Sequence, residues 1–153
     1  MQRTYTIYQD SHYSVPRTPR LHFKAKSLQI TTRFDTNCAY KFPYPDNTAI
    51  NKLVGLSWGY HHTNSFRIGW TYNNMLSKME LYIYTYNNSV RESLLFTTVP
   101  LNQILSPINI SFDYSENLIK IEYRDIQKTI PFSYPNFKFG YILCPYFGGT
   151  RTA

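Results

Sequence analysis

This sequence predicts an all-β chain, two antiparallel sheets packed as a jelly-roll or concanavalin-like sandwich, and three observations carry that expectation. Residues 50–86, INKLVGLSWGYHHTNSFRIGWTYNNMLSKMELYIYTY, read as three consecutive strands parted by two turn signals. The chain is 18% aromatic, with 15 Tyr and 10 Phe, a composition that suits half-buried pleated surfaces better than helices. About ten short strands, roughly 8–12 residues apart, run through it with no βα alternation and no fixed repeat. That is more than an immunoglobulin domain of about 100 residues holds. At 153 residues, one core suffices. A single sandwich domain is therefore expected over residues 1–153, with residues 1–20 as an extended basic N-terminal arm.

Taken in order, residues 4–8 form a short strand, and 10–19 form a polar loop broken by Pro16 and Pro19. Over 20–26, alternation places Leu21, Phe23 and Ala25 inward and His22, Lys24 and Lys26 outward. Leu28, Ile30, Thr32 and Phe34 share one face of 28–34, opposite Gln29, Thr31 and Arg33. The segment 35–49 contains Pro43, Pro45 and the turn pair Asp46-Asn47, and reads as a long connection crossing between sheets. In the central stretch, 66–72 pairs with 77–83 across Asn73-Asn74-Met75-Leu76, setting Phe66 opposite Ile83, Ile68 opposite Leu81 and Trp70 opposite Met79. Every large apolar residue then falls on one face, and a one-residue slip would turn the whole set over. The other face carries Arg67, Gly69, Glu80, Tyr82 and Tyr84.

Asn87-Asn88-Ser89 signals a hairpin turn, after which 90–99 returns with Leu94 and Phe96 inward. The proline-bracketed segment 100–107 is the one place suited to a short helical turn. Residues 108–114 and 118–124 make a hairpin through Ser115-Glu116-Asn117, and 127–132 is brief. The last strand, over 137–147, bends or lies at an edge near Pro145.

The formal charge is +7 and unevenly placed: Arg3, Arg17, Arg20, Lys24, Lys26, Arg33 and Lys41 against Asp10 and Asp35 put five net charges in the first 41 residues. Such a bias could serve nucleic acid, an anionic glycan or an acidic neighbouring subunit, but lysines alternating along a strand fit a solvated edge better. No nucleic-acid motif is present, which disfavours that partner. The opening MQRTYTIYQD has no apolar core of signal-peptide length, and no stretch approaches a membrane span. The expected location is the cytoplasm as synthesised, or a phage particle or similar assembly. Cys38 and Cys144 are expected as buried free thiols.

The pieces 52–70 (KLVGLSWG…NSFRIGW), 83–86 and 141–149 (YILCPYFGG) carry a resemblance. There the chain resembles small proteins of Bacteroidetes-type genomes and their phages that look like concanavalin A-like lectin/glucanase sandwiches. The resemblance covers about the last two-thirds of the chain, and PYFGG is its most distinctive piece. It implies the sandwich fold and brings no activity with it. Members of that group continue past this point with another strand, whereas this chain stops at Ala153.

Catalytic readings find little support in the residues. A retaining glucanase needs two carboxyl groups about 5–5.5 Å apart, whereas Glu80 stands alone on its strand and Glu122 sits between Lys120 and Arg124. A lyase acting on uronates would need Arg, His and Tyr, for which Arg67, His61, His62 and Tyr82 or Tyr84 are available. Phe137-Lys138-Phe139-Gly140 is similar to the terminal strand motif of such lyases, with the following Tyr out of phase. His61-His62 reads as an exposed turn without a third metal ligand, and no cofactor motif occurs. The expectation is a non-enzymatic recognition module binding a glycan or a partner protein through Arg67, Glu80, Tyr82, Tyr84 and Tyr86. The runner-up is a structural subunit of a virion or surface assembly, a homo-oligomer included.

Overall fold

The computed structural model describes residues 3–40 and 48–148. Within them the strands are β1 (Thr6–Ile7), β2 (Ser14–Val15), β3 (Leu21–Phe23), β4 (Ser27–Ile30), β5 (Asn51–Ser57), β6 (Ser65–Asn73), β7 (Lys78–Asn87), β8 (Val90–Val99), β9 (Ile108–Asp113), β10 (Leu118–Tyr123), β11 (Ile126–Pro131) and β12 (Phe139–Leu143). A six-stranded sheet runs β3-β12-β5-β6-β7-β8, a four-stranded sheet runs β11-β10-β9-β4, and β1 pairs with β2 alone. Every pairing is antiparallel. The chain is all-β and forms a sandwich, as its alternating pattern predicts.

The core is the shared interior of the two larger sheets. Leu56, Phe66, Ile68, Trp70, Met79, Leu81 and Ile83 come from one sheet, and Ile108, Ile110, Phe112, Ile119, Ile121 and Tyr123 from the other. Phe66 meets Phe112 edge-on across the gap, ring centroids 6.0 Å apart. Full burial of such side chains is worth about 1.5–3 kcal/mol each, so these rows dominate the fold's stability. At one end Trp58 is enclosed by Phe112, Phe132 and Tyr134, each with its ring centroid 5.1 Å away. Its indole N–H donates to the Tyr114 hydroxyl at 3.0 Å, and that hydroxyl donates to the Ala25 carbonyl at 2.8 Å. The buried indole thus keeps its polar atom partnered.

Several sequence expectations are met and several corrected. The β6–β7 faces are as expected, but the register is two residues further on: Phe66 faces Thr85, Ile68 faces Ile83, Trp70 faces Leu81 and Tyr72 faces Met79. A two-residue slip preserves the faces, so the hydrophobic pattern alone cannot distinguish the two registers. The turn sets it: the Asn73 side chain accepts from the Met75 and Leu76 amides, and Ser77 adopts positive φ, closing the hairpin at Asn73–Lys78. Asn88 and Ser89 both have positive φ between paired Asn87 and Val90, as a two-residue hairpin turn of this hand requires.

The phase of β3 is the reverse of that expected. Leu21 and Phe23 are exposed at 79% and 71%, while His22 turns inward, its Nε2 2.7 Å from the Ser57 carbonyl oxygen and its ring edge-on to Trp58. The reason lies opposite: Gly140 pairs with His22 and leaves room that an added Cβ would lose against Ser57. Lys24, at φ 47°, then breaks the alternation before Ala25. Leu94 pairs with buried Ile83 and so keeps the expected face, but on the edge strand β8 it is 43% exposed. Residues 100–107 contain no helical turn; Ile104 makes a bridge to Arg33, and a 3₁₀ turn forms instead at Thr36–Cys38. The connection from β4 to β5 does cross between sheets. Pro43, Pro45 and the pair Asp46-Asn47 lie outside the described residues.

Instead of projecting as an arm, the described N-terminal residues fold back onto the segment after β12. Tyr13 bridges to Tyr146, the Phe147 amide donates to the His12 carbonyl at 2.9 Å, and the His12 ring stacks on Tyr146 at 5.4 Å. This return builds one wall of the site described next. Cys38 and Cys144 are free and half-buried, and among the described residues no helix is long and apolar enough to cross a membrane.

Candidate functional site

The outer face of the six-stranded sheet holds a cleft of about 840 Å³ over β12, β5, β6 and β7. Its floor comes from strand residues that alternation turns away from the core. Arg67 and Tyr84 are directly paired, and Tyr86 pairs with Ser65. Lys52 pairs with Gly69 on β6 and bridges to Tyr146. The wall is the folded-back stretch through Tyr13, Arg17 and Leu21, and one end is closed by the turn after β5, which carries His61 and His62.

Two local features of β5 shape the floor. Its pairing with β6 shifts between Lys52 and Gly55, a bulge that re-aims side chains. Gly55 lies opposite Arg67, and a Cβ there would stand 2.5 Å from Arg67 Cγ and collide with the Phe66 carbonyl oxygen. The bare glycine lets the Arg67 stem lie across β5. Lys52 Nζ sits 4.9 Å from the Tyr84 ring centroid and 5.5 Å from that of Tyr146, in cation–π range. At the rim, the Arg17 guanidinium stacks 3.8 Å over the Tyr13 ring.

Among the described residues no Asp or Glu lines the cleft, and their one ion pair, Lys120–Asp113 at 3.9 Å, lies on the other sheet. Burial first, and then Arg67 and Arg91, lower the Lys52 ammonium to about 8. Burial likewise lowers Arg67 to about 10. The Tyr84 phenol is pushed up, by burial first and then by Tyr86. His61 is pushed below its usual value, by burial, then His62, then Arg67, which favours its neutral form at pH 7. Its Nδ1 lies 2.6 Å from the Tyr141 hydroxyl. A neutral imidazole on a phenol, flanked by cations, can bind a polar ligand atom or move a proton.

The five site residues expected from sequence divide into two groups. Arg67, Tyr84 and Tyr86 line the cleft. Glu80 and Tyr82 are on the same face but do not line it. The Glu80 carboxylate accepts from Asn73 Nδ2 at 2.6 Å, Tyr82 Oη at 2.7 Å and Thr71 Oγ1 at 3.3 Å, a network beside the β6–β7 turn. Sequence reasoning missed Lys52, Tyr141, Tyr146, Tyr13 and Arg17, and took His61 for an exposed turn residue although it is half-buried against Tyr141. Lys52 could have been found by extending the antiparallel pairing from β6 to β5, which puts it in phase with Arg67. Nothing local marks Tyr13 or Tyr146, which a long-range bridge brings together. Among the described residues no group of three or more His, Cys, Asp or Glu is placed to hold a metal ion. No family model matches the chain, and no curated protein matches it.

Proposed function

We propose that the protein is a recognition module that binds a glycan in this cleft. The observation that carries the reading is the gathering of Tyr13, Tyr84, Tyr86, Tyr141 and Tyr146 with Lys52 and Arg67 around one concavity. Tyrosine rings offer flat apolar area to sugar faces, and their hydroxyls and the cations offer hydrogen bonds, the mixture a saccharide site requires. A glycan array tests it. The wild-type protein should be retained by a subset of glycans, and Tyr84→Ala should weaken that retention with the mass in solution unchanged. A fall in mass with Tyr84→Ala would favour the subunit reading, with this face as a contact between chains.

A second reading keeps the ligand and adds chemistry, favoured by the hydrogen-bonded His61 and Tyr141 beside Arg67. In it a cation neutralises a uronate carboxylate while the pair takes the proton from the carbon beside that carboxylate and returns a proton to the departing glycosidic oxygen, so that the C–O bond breaks to leave an unsaturated sugar and a free hydroxyl on the other fragment. Release of unsaturated product from polyuronate, lost in Tyr141→Phe, would replace the non-catalytic reading with this one.

A further inference from the structure

Resting on the glycan reading, we propose that the cleft floor is an oxyanion site, built by Lys52 and Arg67, and that the glycan it takes is acidic, bearing uronate carboxylates or sulfate esters. The geometry argues it first. The two cations arise from neighbouring strands on one face, the stem of Arg67 laid over bare Gly55 and Lys52 held between the Tyr84 and Tyr146 rings. Both are half-buried. Neither has a carboxylate partner among the described residues.

A desolvated cation without a counter-charge is costly, and proteins seldom keep two side by side unless something neutralises them. The surroundings add to the field instead of cancelling it. Arg17 lines the wall, and Arg91 lies near enough to disfavour the charge on Lys52. The remaining groups facing the pair are His61, His62, Tyr13, Tyr84, Tyr86, Tyr141, Tyr146 and Cys144, among which there is no carboxylate. An oxyanion between the two cations would supply the counter-charge. Arg67 offers the planar fork that matches a carboxylate or sulfate, and Lys52 a point charge beside it. The tyrosine rings would meanwhile stack on the sugar that carries the anion.

Acidic ligands should therefore keep Lys52 protonated, and binding should weaken as pH rises through about 8. Lys52→Arg, charged well beyond that point, should flatten this dependence.

The test is calorimetric titration of the full chain with oligogalacturonate, with a sulfated oligosaccharide and with a neutral β-glucan oligosaccharide of similar length, at low and raised salt. The acidic ligands should bind, more weakly at raised salt, and the neutral one about tenfold or more weakly at low salt. Arg67→Met and Lys52→Met should each lower acidic-glycan affinity by about tenfold or more, with Arg124→Met, an exposed cation on the other sheet, unchanged. Thermal melts establish that each variant is folded, and the Lys52→Arg pH profile gives a readout independent of side-chain loss. The carboxylate and sulfate arms identify which oxyanion is read. Equal binding of neutral glycans, or acidic binding indifferent to Arg67→Met, overturns this inference and leaves the glycan reading standing. Absence of binding to any glycan, or capture of single-stranded DNA in place of all of them, overturns both.

Discussion

Removing the Arg67 charge should make the protein more stable, and the size of the effect follows from where the guanidinium sits. Its proton affinity drops well below the ordinary arginine value, to about 10, with burial the leading cause. At about 1.4 kcal/mol for each factor of ten, that is a penalty of ~3 kcal/mol for holding the charge where it lies. Solvent at the cleft mouth screens part of this, and halving it leaves ~1.5 kcal/mol. Arg67→Met keeps an unbranched stem over Gly55 and removes the charge, so little packing is lost against that gain. For a chain of 153 residues the unfolding entropy is about 320 cal/mol/K, so ~1.5 kcal/mol raises Tm by about 5 °C. Differential scanning calorimetry at pH 7 and low salt measures it, with Arg124→Met as an exposed control expected to shift Tm only slightly. A Tm that stayed level or fell would show that the guanidinium is already compensated within the fold, and the argument for an uncompensated cation floor would fail with it.

Two further outcomes follow from the same structure. Unfolded Lys52 titrates near 10.5 and the folded residue near about 8, so between those values the unfolded chain holds the extra proton and stability should rise with pH, most visibly from pH 8 to 10. Below 8 both states are charged and the full penalty is present; above about 10, ionisation of tyrosines in the unfolded chain acts in the opposite direction. Urea melts across this range should show the rise in the wild type and its loss in Lys52→Met. In the core, Trp58→Ala should cost roughly 3–5 kcal/mol, since the ring is 1% exposed among Phe112, Phe132 and Tyr134. A loss below about 1 kcal/mol in urea melts would mean that this end of the sandwich is loosely packed.

Legibility in the sequence tracked how local the deciding physics was. Period-2 alternation placed Phe66, Ile68 and Trp70 on the core face and Arg67 and Tyr84 on the outer one, because faces depend only on odd and even positions. Register was less legible, since a two-residue shift leaves those faces intact and Asn73 and Ser77 decide it through turn hydrogen bonding and φ. Leu21, His22 and Phe23 defeated the alternation rule because the deciding residue, Gly140, is far away in sequence. The candidate site was half legible for the same reason. Arg67, Tyr84 and Tyr86 lie on adjacent strands of one hairpin, whereas Tyr13 and Tyr146 reach the cleft only through pairing that no local pattern announces. Glu80 and Tyr82 shared the right face but lay too near the turn, where the Asn73 and Thr71 side chains engage the carboxylate.

The fold-back that joins His12 to Phe147, 135 residues apart, makes the cleft a late product of folding. Contacts at such separation form only after the intervening loop has been closed against its entropy, so the β6–β7 hairpin can stand before the wall beside it exists. A glycan that touches both floor and wall would bind the docked arrangement in preference to one with the N-terminal segment lifted, and would hold that segment down by mass action. Ligand occupancy would then appear as slowed amide exchange around Ser14 and Tyr146, far along the chain from each other, with the sandwich core unaffected.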